Sequence, residues 1–372
     1  YQTMSIPTGI SVPVAELVLR ARELAPDPAT RIIVNCAGRT RSIIGTQSLI
    51  NSGIANPVSA LRNGTIGWTL AGQKLAHGQA RRFAPTREEH RQIAARDARR
   101  VADKARVGRA TLADLQRWQQ EPKRTTYLFD VRTPEEFEAG HLPGARSTPG
   151  GQLVQETDHV ASVRGARLVL ADDDGVRANM SASWLAQLGW EVYVLDDLQA
   201  ANFSEQGAWV APVPAPLQAE LISPHTLAEW LPHGDTAVLD FTPSVNYVKR
   251  HIPGAFWALR AQLANALAKV PPAERYVLTC GTSQLARLAV AEVEAITGKP
   301  VFLLQGGTLN WIAEKLPLEE GETHLASPRI DRYRRPYEGT DSPKEAMQAY
   351  LDWEFGLVDQ LARDGTHGFY VI

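Results

Sequence analysis

The residues best suited to chemistry in this sequence surround a single cysteine, Cys36. It follows the apolar run 31–35, and the loop after it carries Arg39 and Arg41 before a stretch of helical character. Guanidinium groups and a helix N-terminus both favour the ionised, nucleophilic form of a thiol. The N–H groups of such a loop also bind an anion or the terminal sulfur of a persulfide. We predict a reactive thiolate here, because an inert buried cysteine would leave both arginines without a role.

Composition limits the classes of protein to consider. The chain has 372 residues, of which 44% are hydrophobic and 22% charged, and its net charge is −2. We expect two to four globular domains. Because the chain has no excess of positive charge, we expect no nucleic-acid or membrane partner. No apolar run approaches the ~20 residues of a spanning helix. The two cysteines, Cys36 and Cys280, are far apart, which predicts a cytoplasmic protein without a disulfide scaffold.

One long segment of the chain occurs twice. Residues 128–145 recur as 238–255, and in both copies an aspartate is followed eleven positions later by a histidine, Asp130 by His141 and Asp240 by His251. We expect the aspartates to end strands and tether loops, and the histidines to fix turns by hydrogen bonds. Asp130, Arg132 and Glu136 are predicted to form an internal ion-pair network.

A second block occurs three times, each time as an apolar strand, a loop and a helical stretch. Cys36, Asp172 and Cys280 occupy equivalent positions, and the helical stretches end at glycines suited to a left-handed helix terminus, Gly53, Gly189 and Gly298. A third block, 58–68, returns as 301–311. Alternating strands and helices predict the α/β class, with parallel sheets covered by helices on both faces. Ligands bind such sheets at the carboxyl ends of their strands, where these loops lie.

The repeats suggest a division of the chain, although the first copy lacks a counterpart of block 128–145. We predict an incomplete domain with Cys36 (1–84), an exposed linking helix (85–106), a domain with Asp172 (107–210), a domain with Cys280 (217–320) and a C-terminal extension (321–372). The proline-rich segment 211–216 is expected to be a stiff linker. Because Tyr1 resembles neither an initiator nor the start of a signal peptide, we expect the natural chain to begin earlier.

In order along the chain, these blocks resemble a tandem rhodanese, a sulfurtransferase, across roughly residues 5–320. The resemblance rests on the Asp-x-Arg, Gly-His-hydrophobic-Pro-Gly-Ala and Cys-loop-helix motifs. It implies a sheet of about five parallel strands per domain and an active cysteine at the bottom of a pocket formed by its loop. It also implies catalysis by Cys36 and Cys280 without a metal or cofactor, and substrate binding by the two loops, Ala37, Gly38, Arg39, Thr40, Arg41 and Ser42, and Gly281, Thr282 and Ser283.

The resemblance implies double displacement. The Cys36 thiolate would attack the outer sulfur of thiosulfate, release sulfite and hold a persulfide until cyanide or a thiol removes the sulfur. Arg39 and Arg41 would steer the dianion, Gly38 and its neighbours would supply N–H groups, and Ser42 is expected to be the N-cap of the next helix.

The other two loops depart from this pattern. Asp172 cannot carry a sulfane sulfur, so the second copy is predicted to be inactive, with Asp172, Asp173 and Asp174 capping the next helix; a metal site formed by them is a remote alternative. The third copy keeps Cys280 but has no arginine within its loop, so persulfide chemistry there stays open.

Two other functions compete with sulfur transfer. Phosphatases related to this family have one residue more between the cysteine and the arginine than the four between Cys36 and Arg41, which argues against phosphoryl transfer. A non-catalytic sulfur-relay or binding scaffold gains support from Asp172 and from the truncated first copy. The oligomeric state is open, and a homo-oligomer is possible.

The C-terminal extension is expected to carry an amphipathic helix over 344–363. Its apolar residues at helical spacing predict that it packs on a surface, either of this chain, which we favour, or of a second subunit. They are Met347, Tyr350, Leu351, Trp353, Leu357 and Leu361.

Overall fold

Parallel strands form three sheets in the computed structural model, which describes residues 1–212, 218–340 and 342–372. The strands are β1 Ile32–Val34, β2 Val58–Ala60, β3 Gly108–Ala110, β4 Thr126–Asp130, β5 Arg146–Ser147, β6 Arg167–Ala171, β7 Glu191–Leu195, β8 Glu220–Ile222, β9 Thr236–Asp240, β10 Phe256–Trp257, β11 Arg275–Thr279 and β12 Val301–Leu304.

Helices connect these strands and cover the sheets. They are α1 Leu17–Leu24, α2 Thr40–Ser52, α3 Gly64–Leu70, α4 Glu88–Lys104, α5 Leu112–Gln119, α6 Pro134–Ala139, α7 Gly150–Gln155, α8 Thr157–Val160, α9 Arg177–Gln187, α10 Pro224–Trp230, α11 Ser244–Lys249, α12 Leu263–Leu267, α13 Gln284–Arg287, α14 Val290–Thr297, α15 Gly307–Ala313 and α16 Lys344–Asp364. Short 3-10 turns occupy Val14–Glu16, Ala200–Asn202, Leu231–His233 and Arg260–Gln262.

The second copy is a five-stranded parallel sheet in the order β3-β7-β6-β4-β5. Its central strand β6 is buried along its whole length. Alternate residues face opposite sides, so Leu168 and Leu170 join one apolar core while Val169 and Ala171 join the other. The register pairs Asp130 with Ala171, which places the end of β4 beside the start of the Asp172 loop.

The third copy repeats this architecture with the order β10-β9-β11-β12-β8. Val277 and Leu278 of β11 again belong to cores on opposite faces. Asp240 pairs in register with Thr279, immediately before Cys280. The predicted parallel five-stranded α/β architecture is confirmed for the second and third copies.

In the first copy, the described residues form a sheet of two strands, β1 and β2. The segment before α1 makes only isolated bridges, Ser5 with Ala76 and Ser11 with Arg82. Val34 and Leu49 share an apolar core with Ala98 of α4 and Met180 of α9.

The expectation of an exposed linking helix is wrong for one face of α4. Ala94, Ala98 and Ala102 are fully buried and Val101 nearly so. The basic face is solvated, as predicted, and the Arg96 side chain is 75% exposed. The helix is amphipathic because its apolar face packs against α1 and α9.

The predicted roles of the helix-end glycines and turn histidines are confirmed. Gly53, Gly189 and Gly298 have φ of 75°, 83° and 62°, the left-handed region. The buried rings of His141 and His251 bond through Nδ1 to the carbonyl oxygens of Phe137 and Tyr247, each at 2.8 Å, and so fix the turn that follows.

The chain divides into two compact units, Tyr1–Val210 with Arg335–Ile372, and Ala211–Arg334. Within the first unit, α16 packs on the same chain through a narrow strip in which Leu351 is 1% exposed. The predicted apolar stripe is wrong for Trp353 and Leu361, which are 55% and 39% exposed, because only this strip touches the body of the unit. Residues 213–216 of the predicted linker lie outside the described residues. No helix within the described ranges is long and apolar enough to cross a bilayer.

Candidate functional site

Cys36 lies two residues beyond the carboxyl end of β1, and the loop that it begins leads into α2. The thiol is partly exposed, and α2 starts four residues later at Thr40. The start of α3 holds the loop from behind, because the N–H groups of Thr65 and Ile66 donate to the carbonyl oxygens of Cys36 and Ala37, both at 3.0 Å.

A glycine is required where α3 meets this loop. Gly64 has φ of 55°, and a Cβ there would lie 2.1 Å from the carbonyl oxygen of Cys36. Gly307 meets the carbonyl oxygen of Cys280 in the same way, at 2.3 Å. Only glycine allows so close an approach of two backbones, so both cysteine loops are clamped by the same device.

The N–H groups of residues 37–42 point to no acceptor in the part of the chain that the structure describes. They include the first N–H groups of α2, which lack partners within the helix itself. Successive unpaired N–H groups at a helix N-terminus form a site for an anion or for a polarisable sulfur. The N–H groups that the predicted cradle needs are therefore free within the described part of the chain, and the cradle itself stays a prediction.

Ser42 does not cap α2, contrary to the prediction. Arg39 occupies the N-cap position, and the helix has already begun at Thr40. Ser42 therefore lies in the first turn, where its hydroxyl donates to the Arg39 carbonyl oxygen at 2.8 Å. The Cys36 thiol donates to the same hydroxyl at 3.6 Å, which fixes the orientation of the sulfur.

The two arginines of the loop point in different directions. The Arg39 guanidinium lies 3.7 Å over the ring of Phe355 in α16. Arg41 lines a cavity with Thr133, Glu135 and Gln152 of the second copy. Neither hydrogen-bonds to Cys36 among the described residues, so their predicted steering of an anion would act through the longer-range field.

Two residues of α16 also lie at this loop: Glu354, which the sequence did not point to, and Tyr350, which it predicted only to pack on a surface. Thr40 donates from Oγ1 to Glu354 Oε1 at 3.2 Å, and the Tyr350 hydroxyl donates to the same oxygen at 3.1 Å. Burial, with smaller effects of Tyr337 and Glu354, raises the pKa of Tyr350 and so keeps it a donor. The amphipathic pattern around Leu351 was the available signal, but it did not reveal which surface the helix covers.

Side chains of the Asp172 loop accept four of the N–H groups at the end of the loop and the start of α9. Asp172 accepts from Gly175 and Ala178 at 3.1 and 2.8 Å, and Asp174 accepts from Val176 and Arg177 at 2.7 and 3.2 Å. Burial, reinforced by the Asp174 carboxyl, raises the pKa of Asp172 well above its usual range. The predicted capping of α9 is confirmed for these two residues, and no metal-binding cluster is found among the described residues.

The predicted ion-pair network exists, but its members pair differently. Arg132 forms a buried fork with Asp130, with Nη2 to Oδ2 at 2.6 Å. Glu136 pairs with Arg177 rather than with Arg132. Although burial raises the pKa of Glu136, the Arg177 guanidinium lowers it to about 2 overall. Asp173, which contacts both arginines, connects the two pairs.

The Cys280 loop is more closed than the Cys36 loop. Cys280 is 3% exposed. Among the described residues, the N–H groups of Gly281, Thr282 and Ser283 have no acceptor. Ser283 adopts φ of 65°, its hydroxyl is buried without a partner, and the helix behind it, α13, ends after one turn. Like the Cys36 loop, the Cys280 loop therefore has a thiol and N–H groups that are free within the described residues, but its thiol is buried.

The fold and these loops define a parallel α/β protein with a cysteine at the carboxyl end of a strand. The model of the rhodanese-like domain matches residues 111–197 and 223–314. The structure of thiosulfate sulfurtransferase from Pseudomonas aeruginosa is 73% identical over 100% of this chain and 71% of its own, with a TM-score of 0.98. This chain belongs to the rhodanese family.

Two further matches are partial. The protein YqhL of Bacillus subtilis is 37% identical over 73 residues, 19% of this chain and 56% of that protein. A rhodanese-related protein from Thermoplasma volcanium is 19% identical over 27% of this chain and 97% of its own, with a TM-score of 0.25.

Proposed function

We propose that this chain is a thiosulfate sulfurtransferase in which Cys36 carries the transferred sulfur as a persulfide. The observation that carries the proposal is the row of N–H groups from residue 37 to residue 42, which have no acceptor among the described residues and lie beside a partly exposed thiol. The 73% identity to a thiosulfate sulfurtransferase over the whole chain supports the same reaction.

In the first half of the reaction, the Cys36 thiolate attacks the outer sulfur of thiosulfate. A bond forms between the two sulfur atoms, the bond inside thiosulfate breaks, and its electron pair leaves on sulfite. The loop N–H groups and the N-terminus of α2 stabilise the negative charge of the bound sulfur. Arg39 and Arg41 raise the local concentration of the dianion.

In the second half, the acceptor attacks the outer sulfur of the persulfide. The sulfur–sulfur bond to Cys36 breaks and its electron pair returns to Sγ, which regenerates the thiolate. With cyanide the product is thiocyanate, and with a thiol it is a new persulfide. The thiolate and the persulfide sulfur of Cys36 have no proton to donate, so the Ser42 hydroxyl, 3.6 Å from Sγ, holds the sulfur in these states by turning its own proton from the Arg39 carbonyl oxygen toward Sγ.

The three copies take different roles in this proposal. Segment 1–84 carries the reaction, and residues of 85–106 and of the inactive 107–210 pack on its core. Cys280 of 217–320 is a secondary site, because its burial restricts access to a donor. Both cysteines are free, in keeping with the predicted cytoplasmic location.

A thiosulfate:cyanide assay on three proteins tests the proposal. We expect Cys36→Ser to abolish thiocyanate formation and Cys280→Ser to retain most of it. Activity that survives in Cys36→Ser and disappears in Cys280→Ser would assign the reaction to the third copy. A wild-type chain without activity toward any sulfur donor would identify it as a scaffold.

A further inference from the structure

Helix α16 buries a carboxyl group against the Cys36 loop. Glu354 is 8% exposed, whereas its neighbours Trp353 and Phe355 are 55% and 46% exposed. Glutamate is rarely buried to this extent unless it is paired. No cation is within ion-pair distance of Glu354 in the described part of the chain, so the reason for its burial lies in the loop that it covers.

One oxygen of the Glu354 carboxyl accepts hydrogen bonds, and the other accepts none from the described residues. Oε1 accepts from Thr40 and Tyr350. Oε2 is buried and has no hydrogen-bond partner among the described residues. It lies 3.3 Å from the point where a Cβ on Gly38 would be, directly over the loop. A buried acceptor without a donor costs about 1–3 kcal/mol, so Oε2 is suited to a molecule that brings a donor.

The first turn of α2 makes hydrogen bonds to both the Cys36 thiol and the Glu354 carboxyl. Ser42 of that turn accepts from the Cys36 thiol, and Thr40 of that turn donates to Glu354. The Cys36 sulfur and the Glu354 carboxyl are thus held by residues two positions apart in α2, which places the carboxyl at the loop that carries the sulfur. Thiosulfate and sulfite dianions carry no proton, whereas a thiol acceptor carries one that it must lose before it attacks.

On the basis of the proposed function, we propose that Glu354 accepts the proton of the acceptor thiol during discharge of the Cys36 persulfide. The acceptor S–H bond breaks and its proton moves to Oε2. The electron pair left on the acceptor sulfur forms a bond to the outer persulfide sulfur, and the pair of the broken sulfur–sulfur bond returns to Cys36 Sγ. The products are the acceptor persulfide, the Cys36 thiolate and a protonated Glu354.

With Glu354 in this role, its substitution should affect the loading of Cys36 and the discharge of its persulfide differently. A carboxylate at this place repels the thiosulfate dianion while it helps a protonated acceptor. Glu354→Gln keeps the shape and an oxygen for Thr40 and Tyr350, but removes the proton acceptor. We expect loading by thiosulfate to be unchanged or faster, and discharge to a thiol to be slower by about 10²-fold.

The test uses the full chain carrying a persulfide on Cys36, and measures single-turnover discharge to reduced glutathione and to sulfite at a pH of about 8, below the thiol pKa of ~8.5, where most of the glutathione keeps its thiol proton and sulfite is largely the dianion. Glu354→Gln should slow discharge to glutathione and leave discharge to sulfite within about twofold, since sulfite brings no proton. Glu345→Gln is the matched control, because this exposed residue makes the same change in the same helix. It should discharge to both acceptors as wild type does.

Each other result contradicts the assignment in a distinct way. Equal discharge of wild type and Glu354→Gln to glutathione removes Glu354 from proton transfer. Equal slowing with both acceptors makes Glu354 a purely structural contact. A wild-type chain that forms no persulfide on Cys36 overturns the proposed function instead.

Discussion

The Cys36 and Asp172 loops follow equivalent strands and differ in how their N–H groups are satisfied. In the second copy, the side-chain oxygens of Asp172 and Asp174 accept from the first two N–H groups of α9 and from those of the two residues before it. In the first copy, those of residues 37–42 have no acceptor among the described residues. The comparison teaches that a loop at the same place in the fold is a closed helix cap where carboxyl groups accept its N–H groups, and leaves those groups open where a cysteine stands at its head; the open loop is the one for which we propose sulfur transfer.

The largest effect should come from making the first loop resemble the second. Cys36→Asp removes the sulfur carrier and supplies a carboxylate for the free N–H groups, so it should lose all transfer. Cys36→Ser is the matched control, because it removes the thiol without supplying a charge. Both should be inactive in the thiocyanate assay. If Cys36→Asp were the less stable of the two in urea unfolding, the two loops would not be equivalent.

The clamp behind the Cys36 loop predicts the next largest effect. Gly64→Ala places a methyl group 2.1 Å from the Cys36 carbonyl oxygen and should lower the free energy of unfolding by roughly 1–3 kcal/mol. It should also slow persulfide formation on Cys36. Gly72→Ala is the control, since its φ is also positive at 75° but nothing lies within 4 Å of the new Cβ. Equal sulfur loading by the two variants would show that the clamp does not shape the loop.

Substitutions in the Asp172 loop should lower the stability of the fold rather than the rate of sulfur transfer. Asp174→Ala removes the acceptor for two N–H groups and a partner of Arg177, so we expect a loss of about 2 kcal/mol in the free energy of unfolding. Asp158→Ala, an exposed change in the first turn of α8, should cost much less. Denaturant unfolding of both variants measures the difference. Equal losses would mean that the Asp174 cap contributes nothing specific.

A smaller effect is expected at the thiol itself. Ser42→Ala removes the hydroxyl that contacts Cys36 Sγ, and a hydrogen bond of about 1 kcal/mol corresponds to roughly a fivefold slower transfer. Single-turnover loading by thiosulfate measures this change. An unchanged rate would exclude Ser42 from positioning the sulfur.

The smallest effect concerns stability in acid. Because the pKa of Glu136 is lowered from 4.5 to about 2, this group stabilises the folded state above pH 4.5, and that stabilisation is lost as the pH falls toward 2. Glu136→Gln should therefore show a shallower decrease in melting temperature over this range than wild type. Glu138→Gln changes an exposed residue of the same helix and should follow the wild-type curve.

The sequence predicted the features that depend on local chemistry. The paired Asp and His-hydrophobic-Pro-Gly-Ala blocks located the strands and turns of the second and third copies, and the type of residue at Asp172 predicted a helix cap. Ser42 was misassigned because serine is a frequent N-cap, whereas α2 had already begun at Thr40. The helix boundary depends on how α3 clamps the loop, which local propensity does not encode.

Long-range packing explains what the sequence could not predict. Glu354 lies more than three hundred residues from Thr40 along the chain, yet the two side chains are hydrogen-bonded. A helical pattern shows that a surface is covered, but it does not show which one. The partners of Glu136 were likewise misjudged, because Arg177 approaches from α9 rather than from the same sequence block.

The most direct test of the account is peptide mass spectrometry of the full chain after exposure to thiosulfate. The account predicts that the peptide with Cys36 gains one sulfur atom, that cyanide removes it, and that the peptide with Cys280 gains little. A Cys36 peptide of unchanged mass, with the sulfur on Cys280 or on neither cysteine, would contradict it.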